Sequence, residues 1–312
     1  MAIHSAKLTS TFEQRSLRTA RWANLVMAIA GVFTAWISNA DALLVDGLYS
    51  GVNFFSSIVA AKVGESVMRP WDKTRPFGYY ADESLYVTFR SVVLLGILLF
   101  AAVSAIAKII AYASGNTSPE IGFGKVVAYS IFMVTICLGV AYVHHYNWVK
   151  THKQSDILKT EMKAAIVDGI LSAGVGLAFG LAPLLATTPL KGLLPITDSI
   201  VVLILVVIII KQPVSLFLEA LAEIAGESAA PSVVSTIRQA TVAIAETQGY
   251  SLMDVSALKL GRFHFILIYL QPHYPFDGRS VDQLRAKLKA ICERQIGFVE
   301  LEVVLTETPR LR

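Results

Sequence analysis

Two acidic side chains stand inside long apolar stretches of the sequence. Asp46 lies in the segment Val-Asp-Gly-Leu-Tyr-Ser at 45–50, and Asp168 lies in Val-Asp-Gly-Ile-Leu-Ser at 167–172. A carboxylate within a membrane segment costs about a few kcal/mol or more, so it usually faces the bundle interior and marks an ion or substrate path. We therefore expect Asp46 and Asp168 to form the functional centre of the molecule.

Helical spacing places further oxygen atoms beside these two acids. On a helix, Asp46, Ser50 and Asn53 fall on one face, and Asp168 and Ser172 repeat the first two positions. Two such helices facing each other predict one polar site with two carboxylates. Two simpler explanations stay open, because an acid before glycine can end a helix in water and the Ser50 hydroxyl can bond the carbonyl one turn back.

The composition indicates a membrane protein. Hydrophobic residues make up 54% of the 312 residues and charged residues only 16%, whereas a soluble domain carries about 25% charged residues. The net charge of +4 is modest and requires no nucleic-acid partner. Cys137 and Cys292 have no CxxC partner, so we expect neither a disulfide framework nor a cysteine-based zinc site.

Six apolar runs are long enough to cross a lipid bilayer at about 20 residues each. They lie at roughly 22–40, 42–63, 86–112, 124–147, 162–184 and 197–211. Lysine and arginine concentrate in the N-terminal segment and after the second and fourth runs, and basic loops stay in the cytoplasm. We therefore expect a multi-pass integral membrane protein with both termini cytoplasmic, in the cell membrane or, in a bacterium, the inner membrane.

The polar C-terminal part predicts a second domain. Residues 1–211 form the expected transmembrane domain, and residues 212–312 form a cytoplasmic domain that begins with a connecting helix. The periodicity predicts helices at 215–226, 231–247 and 279–294 and strands at 252–260, 263–271 and 298–306. After the connecting helix this αββαβ order is typical of a small α+β, ferredoxin-like domain.

The chain resembles the cation diffusion facilitator family. The resemblance covers the six spans and the tail, and its most specific segments are Leu-Val-Asp-Gly-Leu at 44–48, Arg-Pro-Phe-Gly-Tyr-Tyr-Ala-Asp-Glu at 75–83 and Ala-Ala-Ile-Val-Asp at 164–168. It implies a homodimeric secondary transporter that exports a divalent metal cation by proton antiport between helices 2 and 5. It also implies Asp46 and Asp168 as metal ligands, with Ser50 at the helix 2 partner position, and no enzyme activity or resident cofactor. The helical spacing adds Asn53, or alternatively Tyr49, as a further oxygen donor.

The chain departs from the family pattern at the site itself. The family site has four side chains, and here Ser50 and Ala164 stand where relatives carry carboxylate or imidazole ligands. A His/Asp set suits zinc, whereas two carboxylates with hydroxyl, amide and water oxygens suit magnesium or manganese. The choice among manganese, iron, zinc, cobalt and magnesium stays open.

Some polar residues outside the two acidic segments allow weaker hypotheses. His144, His145 and His152 could collect metal at the end of helix 4, although a solvated turn beside lysines explains them as well. Asp72 lies where relatives can hold a loop metal site, but no His or Cys stands near it. His264 and His273 are expected to be a strand residue and a loop residue rather than ligands.

A second class of function stays open beside the transporter. The missing ligands favour a non-transporting or regulatory dimeric membrane scaffold of the same fold. The two retained acids argue against it, because a scaffold has no need of carboxylates within its membrane spans. We find no nucleophile–base set, P-loop or GxGxxG segment, so we do not expect an enzyme.

Overall fold

The computed structural model describes residues 2–67, 69, 71–76, 78–116, 121–150 and 156–308. Its helices and strands follow one another along the chain as α1 Ala2–Ser38, α2 Asp41–Val67, α3 Ala81–Ala113, α4 Phe123–Lys150, α5 Asp156–Leu181, α6 Thr197–Ile209, α7 Lys211–Ile224, α8 Pro231–Ala245, β1 Tyr250–Leu260, β2 Phe263–Pro272, α9 Gly278–Ile296 and β3 Val299–Leu305. Two 3-10 segments, Ala182–Thr187 and Pro189–Ile196, connect α5 to α6.

Six helical segments of the described chain are long and apolar enough to cross a membrane. They are Gln14–Ser38, Asp41–Val67, Ala81–Ala113, Phe123–Lys150, Glu161–Leu185 and Lys191–Ile224. The six predicted spans are thereby confirmed, with longer helices than the apolar runs alone indicate. The sixth span also differs in detail, because α6 ends at Ile209 and α7 begins at Lys211 rather than at 215.

The chain divides into two compact units, each described by itself. The first contains residues 1–58 and 90–214, and the second contains residues 59–89 and 215–312. In the first unit Leu43, Leu98 and Met133 belong to one buried apolar core. The helices approach closely at glycines: a Cβ atom added to Gly31 of α1 would lie 2.6 Å from the Cα atom of Gly47 in α2.

Polar groups fix the N-terminal end of α2 within the first unit. The Asp198 carboxylate of α6 accepts hydrogen bonds from the backbone N–H groups of Asp41 at 2.8 Å and Ala42 at 3.0 Å. These N–H groups belong to the first turn of α2 and have no partner inside the helix. Asp41 in turn forms a 2.6 Å ion pair with Lys108 of α3 and accepts a hydrogen bond from Ser104. We call these residues, Asp41, Asp198, Ser104 and Lys108, the α2 cap cluster.

The tail in the second unit has the predicted α+β order. Strand β1 pairs antiparallel with β2, and β2 pairs parallel with β3, so the sheet order is β1-β2-β3. Helices α8 and α9 contribute Ile237, Leu284 and Leu288 to a core that also buries Ile266 and Ile268 of the central strand. The predicted αββαβ order is thus confirmed. It could be predicted because the alternation of apolar residues in strands and the helical periodicity are both local signals.

Within the second unit, hydrogen bonds and a ring contact connect the start of α3 to the turn between β1 and β2. The Glu83 carboxylate accepts hydrogen bonds from the backbone N–H and the guanidinium of Arg262. The Gly261 N–H donates to the Ser84 hydroxyl oxygen at 2.9 Å, and the Tyr80 ring stacks on Phe263 with 4.0 Å between centroids. Burial and the nearby Glu300 carboxylate raise the pKa of Tyr80 to about 12, so its hydroxyl stays protonated and donates to Glu300.

Candidate metal centre

A cavity of about 160 Å³ lies among the membrane-spanning helices of the first unit. Its wall includes Asp46, Ser50 and Asn53 from α2 and Asp168 and Ser172 from α5. The structure therefore brings all five polar residues of the two acidic segments to one space. The rest of the wall comes from further residues of α2 and α5 and from α1, α4, α6 and α7, and it is largely apolar.

Asp46 is half-buried and has one neutral hydrogen-bond donor. The Tyr129 hydroxyl of α4 donates to the Asp46 Oδ2 atom at 2.8 Å, and the Tyr129 side chain is only 5% exposed. This bond orients the carboxylate without supplying a positive charge. The Asp46 carboxylate in the wall of the cavity thus keeps the ability to bind a cation or a proton.

Asp168 has fewer hydrogen-bond donors around it than Asp46 has. Its side chain is exposed at the cavity wall, and in the described part of the chain no donor bonds its carboxylate. Its nearest charged companion in the cavity is the carboxylate of Asp46, which is of the same sign. Two carboxylates sharing a site repel each other unless a proton or a cation neutralises them.

Serine hydroxyls add neutral oxygen atoms to the cavity. Ser50 is 5% exposed and Ser172 is 8% exposed, and both line the wall. Threonines such as Thr88 and Thr135 bond the carbonyl one turn back, whereas the described residues include no such partner for Ser50. The Ser50 hydroxyl is therefore available to the cavity.

Asn53 has a partner that the spacing did not predict. Its Oδ1 atom accepts a 2.9 Å hydrogen bond from the guanidinium of Arg90 on α3. The carbonyl oxygen expected to face a metal is thus already bonded to a fixed cation. Asn53 lies in the cavity wall, but its geometry there differs from that of a free oxygen ligand.

Helices α4 and α7 contribute polar site residues that the sequence interpretation missed. Tyr129, Ser130 and Cys137 lie in the wall from α4, and Gln212 lies at the start of α7. The Ser130 hydroxyl is buried without a hydrogen-bond partner. Neutral polar residues are common in membrane helices, so their identity alone gives no signal. Arg90 did give one, because an arginine within an apolar run is itself a functional hypothesis.

Apart from the thiol of Cys137, the polar side chains that line this cavity offer hard oxygen atoms. Carboxylate, hydroxyl and water oxygens are the ligands of magnesium and manganese rather than the nitrogen and sulfur ligands of structural zinc. The cavity is roomy enough for several water molecules, so an ion could keep part of its hydration shell. Within the described ranges, no group of three or more His, Cys, Asp or Glu side chains is arranged to hold a metal.

The structure describes two of the three histidines of the predicted cytoplasmic cluster, and these two differ in burial and in their partners. His144 is 1% exposed and pairs through Nδ1 with the Ser16 hydroxyl at 2.7 Å, whereas His145 is exposed beside the ring of Trp148. His152 lies outside the described residues. The pair alone does not form a chelating site.

Asp72 has a complete set of hydrogen-bond donors within its own loop. Its carboxylate accepts bonds from the N–H and hydroxyl groups of Thr74, the N–H group of Arg75 and the hydroxyl of Tyr79. These bonds, led by that of the Thr74 hydroxyl, hold the pKa of Asp72 far below its usual range. The carboxylate stabilises the loop and is not a free ligand.

The two histidines of the tail, His264 and His273, both form hydrogen bonds within the fold. His264 lies in β2, where its backbone N–H bonds the carbonyl of Phe298, and burial lowers the pKa of its ring. His273 pairs with the Ser251 hydroxyl at 2.7 Å.

The comparison with known protein families agrees with this architecture. A family model described as the cation efflux transmembrane domain matches residues 17–225, which include all six spans and the cavity. No curated protein matches the chain. The match extends over more than half of the sequence, and the family consists of transporters of metal cations. The chain is therefore a member of the cation efflux family, the cation diffusion facilitators, and an integral multi-pass membrane protein.

Proposed function

We propose that this protein exports a divalent metal cation by proton antiport and is not an enzyme. The cation binds to the carboxylates of Asp46 and Asp168, with the Ser50 hydroxyl and water completing its oxygen shell. Asn53, bonded to Arg90, lines the inner wall of the same cavity. Manganese and magnesium fit this oxygen set better than zinc does.

One observation supports this proposal above the others. Two carboxylates from different helices lie in one cavity within the membrane spans, and among the described residues they have a single hydrogen bond between them, from Tyr129. Carboxylates in such a place are costly. A bound cation or bound protons relieve that cost, and the alternation between the two is a transport cycle.

The proton coupling follows from competition for the same oxygen atoms. A carboxylate must lose its proton before it binds metal, so metal binding releases protons and proton binding releases metal. In our proposal the metal binds from the cytoplasm, leaves on the far side, and protons return on Asp46 and Asp168. No imidazole takes part, since Ala164 stands at the position where relatives have a ligand.

We further propose a homodimer with both termini in the cytoplasm and residues 212–312 as its cytoplasmic domain. The basic segments around the first, second and fourth helices support this orientation. Cysteine labelling at position 118 and at position 153 should then report opposite sides of the membrane. A mass measurement of the detergent-solubilised full chain tests the dimer.

Uptake into inverted membrane vesicles tests the transport proposal directly. A pH gradient should drive accumulation of manganese, iron, zinc, cobalt or magnesium, and one of these ions should be preferred. Asp46→Asn and Asp168→Asn keep the side-chain shape and remove the charge, so each should abolish uptake. Asp282→Asn, on the exposed surface of α9, is the matched control and should transport at the wild-type rate.

A non-transporting dimeric scaffold is the second candidate, and one observation favours it. The described part of the chain shows no group of three metal-ligating side chains at the cavity or elsewhere. Wild-type uptake by Asp46→Asn, or no uptake of any of the five ions by the wild type, would place the scaffold ahead.

A further inference from the structure

Arg90 is a charged residue inside the third membrane span. It lies in Ala81–Ala113, beyond the first two turns of that helix. An arginine at such depth is costly and faces the bundle interior or a polar partner. Its partner here is Asn53, whose Oδ1 atom accepts the 2.9 Å hydrogen bond from the guanidinium. Because Asn53 lines the cavity of Asp46 and Asp168, Arg90 stands directly behind the wall of the transport site.

The guanidinium has few other partners. Glu161 of α5 and the phenol of Tyr49 lie within its electrostatic range, but no carboxylate of the described chain forms an ion pair with it within 4.0 Å. Its Nε atom is buried without a hydrogen-bond partner. A hydrogen-bonding role alone would leave no reason for a full charge here, since a glutamine could donate to Asn53 as well.

We propose that Arg90 is a fixed counter-cation that sets the affinity of the Asp46–Asp168 site for divalent cations. In the metal-free state its charge offsets part of the repulsion between the two carboxylates. In the loaded state it repels the bound ion and so favours release. This inference rests on the proposed function, because it assigns control of the cation affinity to a residue behind that site.

The expected size follows from the separation of the charges. Asn53 is seven residues from Asp46, which corresponds to about 10 Å along a helix at about 1.5 Å per residue. At roughly 10–15 Å and an effective dielectric constant of about 20, Coulomb's law gives a change of roughly 40- to 300-fold in the affinity for a divalent ion, and screening by water and salt reduces this to roughly 10- to 100-fold. If the Arg90–Asn53 hydrogen bond had only a structural role, removal of the Arg90 charge would not tighten cation binding.

Calorimetric titration of the detergent-solubilised full chain with Mn²⁺ tests the inference. Arg90→Gln keeps a donor for Asn53, and Arg90→Met supplies an apolar chain suited to the membrane. Both remove the charge and should tighten Mn²⁺ binding by roughly 10- to 100-fold. Arg90→Lys keeps the charge and should stay within about threefold of the wild type.

The chain offers a matched control on α1. Arg21 is also a half-buried arginine that donates to α2, where its guanidinium bonds the hydroxyl and carbonyl oxygens of Ser57. It is absent from the cavity wall, and its partner Ser57 lies four residues further from Asp46 than Asn53 does. Because its charge lies further from the two carboxylates, Arg21→Gln should tighten Mn²⁺ binding clearly less than the neutral Arg90 variants do. An equal tightening in Arg21→Gln would show a general loosening of the bundle and would overturn the inference.

Failure of this inference and failure of the proposed function give different results. If Asp46→Asn abolishes Mn²⁺ binding but both neutral Arg90 variants bind Mn²⁺ as the wild type does, or more weakly, Arg90 is structural and the site stands. If Asp46→Asn binds Mn²⁺ unchanged, the proposed site itself is wrong. A thermal melt of each variant, expected to match the wild type, separates altered affinity from misfolding.

Discussion

Helix α2 contributes one carboxylate to each of two pairs in the membrane-spanning part of the molecule, and the two pairs differ in their hydrogen-bond partners. In the α2 cap cluster Asp198 accepts two backbone N–H bonds and Asp41 pairs with Lys108. Five residues further along α2, Asp46 has one bond from Tyr129, and Asp168 across the cavity has none among the described residues. The chemical groups are the same, but their surroundings assign them opposite roles.

The comparison shows how to separate structural from functional acids in a membrane protein. A carboxylate whose oxygens are already bonded lowers the free energy of one conformation and has little capacity left for a ligand. A carboxylate without partners is a cost to the fold that a cation or a proton relieves. The number of hydrogen bonds is therefore more informative than the presence of an acid in an apolar run.

The largest effect should appear on transport when the unsatisfied pair is neutralised. Asp46→Asn or Asp168→Asn should lower the uptake rate by at least about 100-fold, the loss of about 2.7 kcal/mol or more of binding or activation free energy. The melting temperature should stay the same or rise, because an amide is less costly to bury than a charge. Uptake in vesicles and thermal melts of the same preparations provide both numbers. If either variant melted far below the wild type, Asp46 and Asp168 would stabilise the fold as the α2 cap cluster does, and the proposed difference between the two pairs would be wrong.

The satisfied pair should show the reverse pattern. Asp198→Ala removes the acceptor of two N–H groups at the start of α2 and should lower the free energy of unfolding by about 2–3 kcal/mol. Uptake per folded molecule should remain within about twofold of the wild type, because Asp198 is absent from the cavity wall. Denaturation in detergent measures the first quantity, and uptake normalised to folded protein measures the second. Loss of uptake at full stability would place Asp198 in the transport machinery.

A new ligand should sharpen the contrast by changing selectivity rather than rate. Ala164 lies one turn before Asp168 and its side chain is exposed. Ala164→His should shift the preference from manganese toward zinc by roughly tenfold, since imidazole is a good zinc ligand and a methyl group is not. Competition between the two ions in the uptake assay measures this ratio. Ala165→His, which places the ring on the next position of the helix, is the control and should leave the ratio unchanged.

The smallest effect concerns a satisfied carboxylate outside the membrane. The four hydrogen bonds to Asp72 depress its pKa, so its stabilisation of the loop is present above the unfolded value of about 3.9 and is lost as the pH falls below it. Between pH 5 and 8 we expect no change in the protection of the Thr74 and Arg75 amides against exchange, once the intrinsic pH dependence of exchange is divided out. Asp72→Asn should speed that exchange without altering uptake, as measured by hydrogen–deuterium exchange. Loss of uptake in this variant would reopen a role for Asp72 in metal binding.

The spans and the tail could be predicted because their signals are local. Apolar runs of about 20 residues identify membrane helices, and the period of the hydrophobic pattern separates the strands from the helices of the tail. The same local logic found Asp46 and Asp168, since an acid in an apolar run is costly wherever it occurs. It applies equally to Arg90 in the run 86–112, which the same rule identifies as a functional candidate.

The rest of the site depends on contacts between helices distant in sequence. Tyr129 is 83 residues from Asp46, and Asn53 has a partner in α3 that changes the availability of its oxygen. Helical spacing predicted the face on which Asn53 lies but not the group that occupies its oxygen. The role of Asp198 was hidden for the same reason, because its two donors lie at the other end of the first unit's chain.

The bonds between Glu83 and Arg262 have a consequence for how the protein is made. The two residues are 179 positions apart in the chain, and ribosomes add about 5–20 residues per second. The start of the third helix therefore emerges roughly 10–35 seconds before its partner exists. During that interval Tyr80, Glu83 and Ser84 lack their partners at residues 261–263, so the start of this helix completes its bonding only after all the membrane spans have been synthesised.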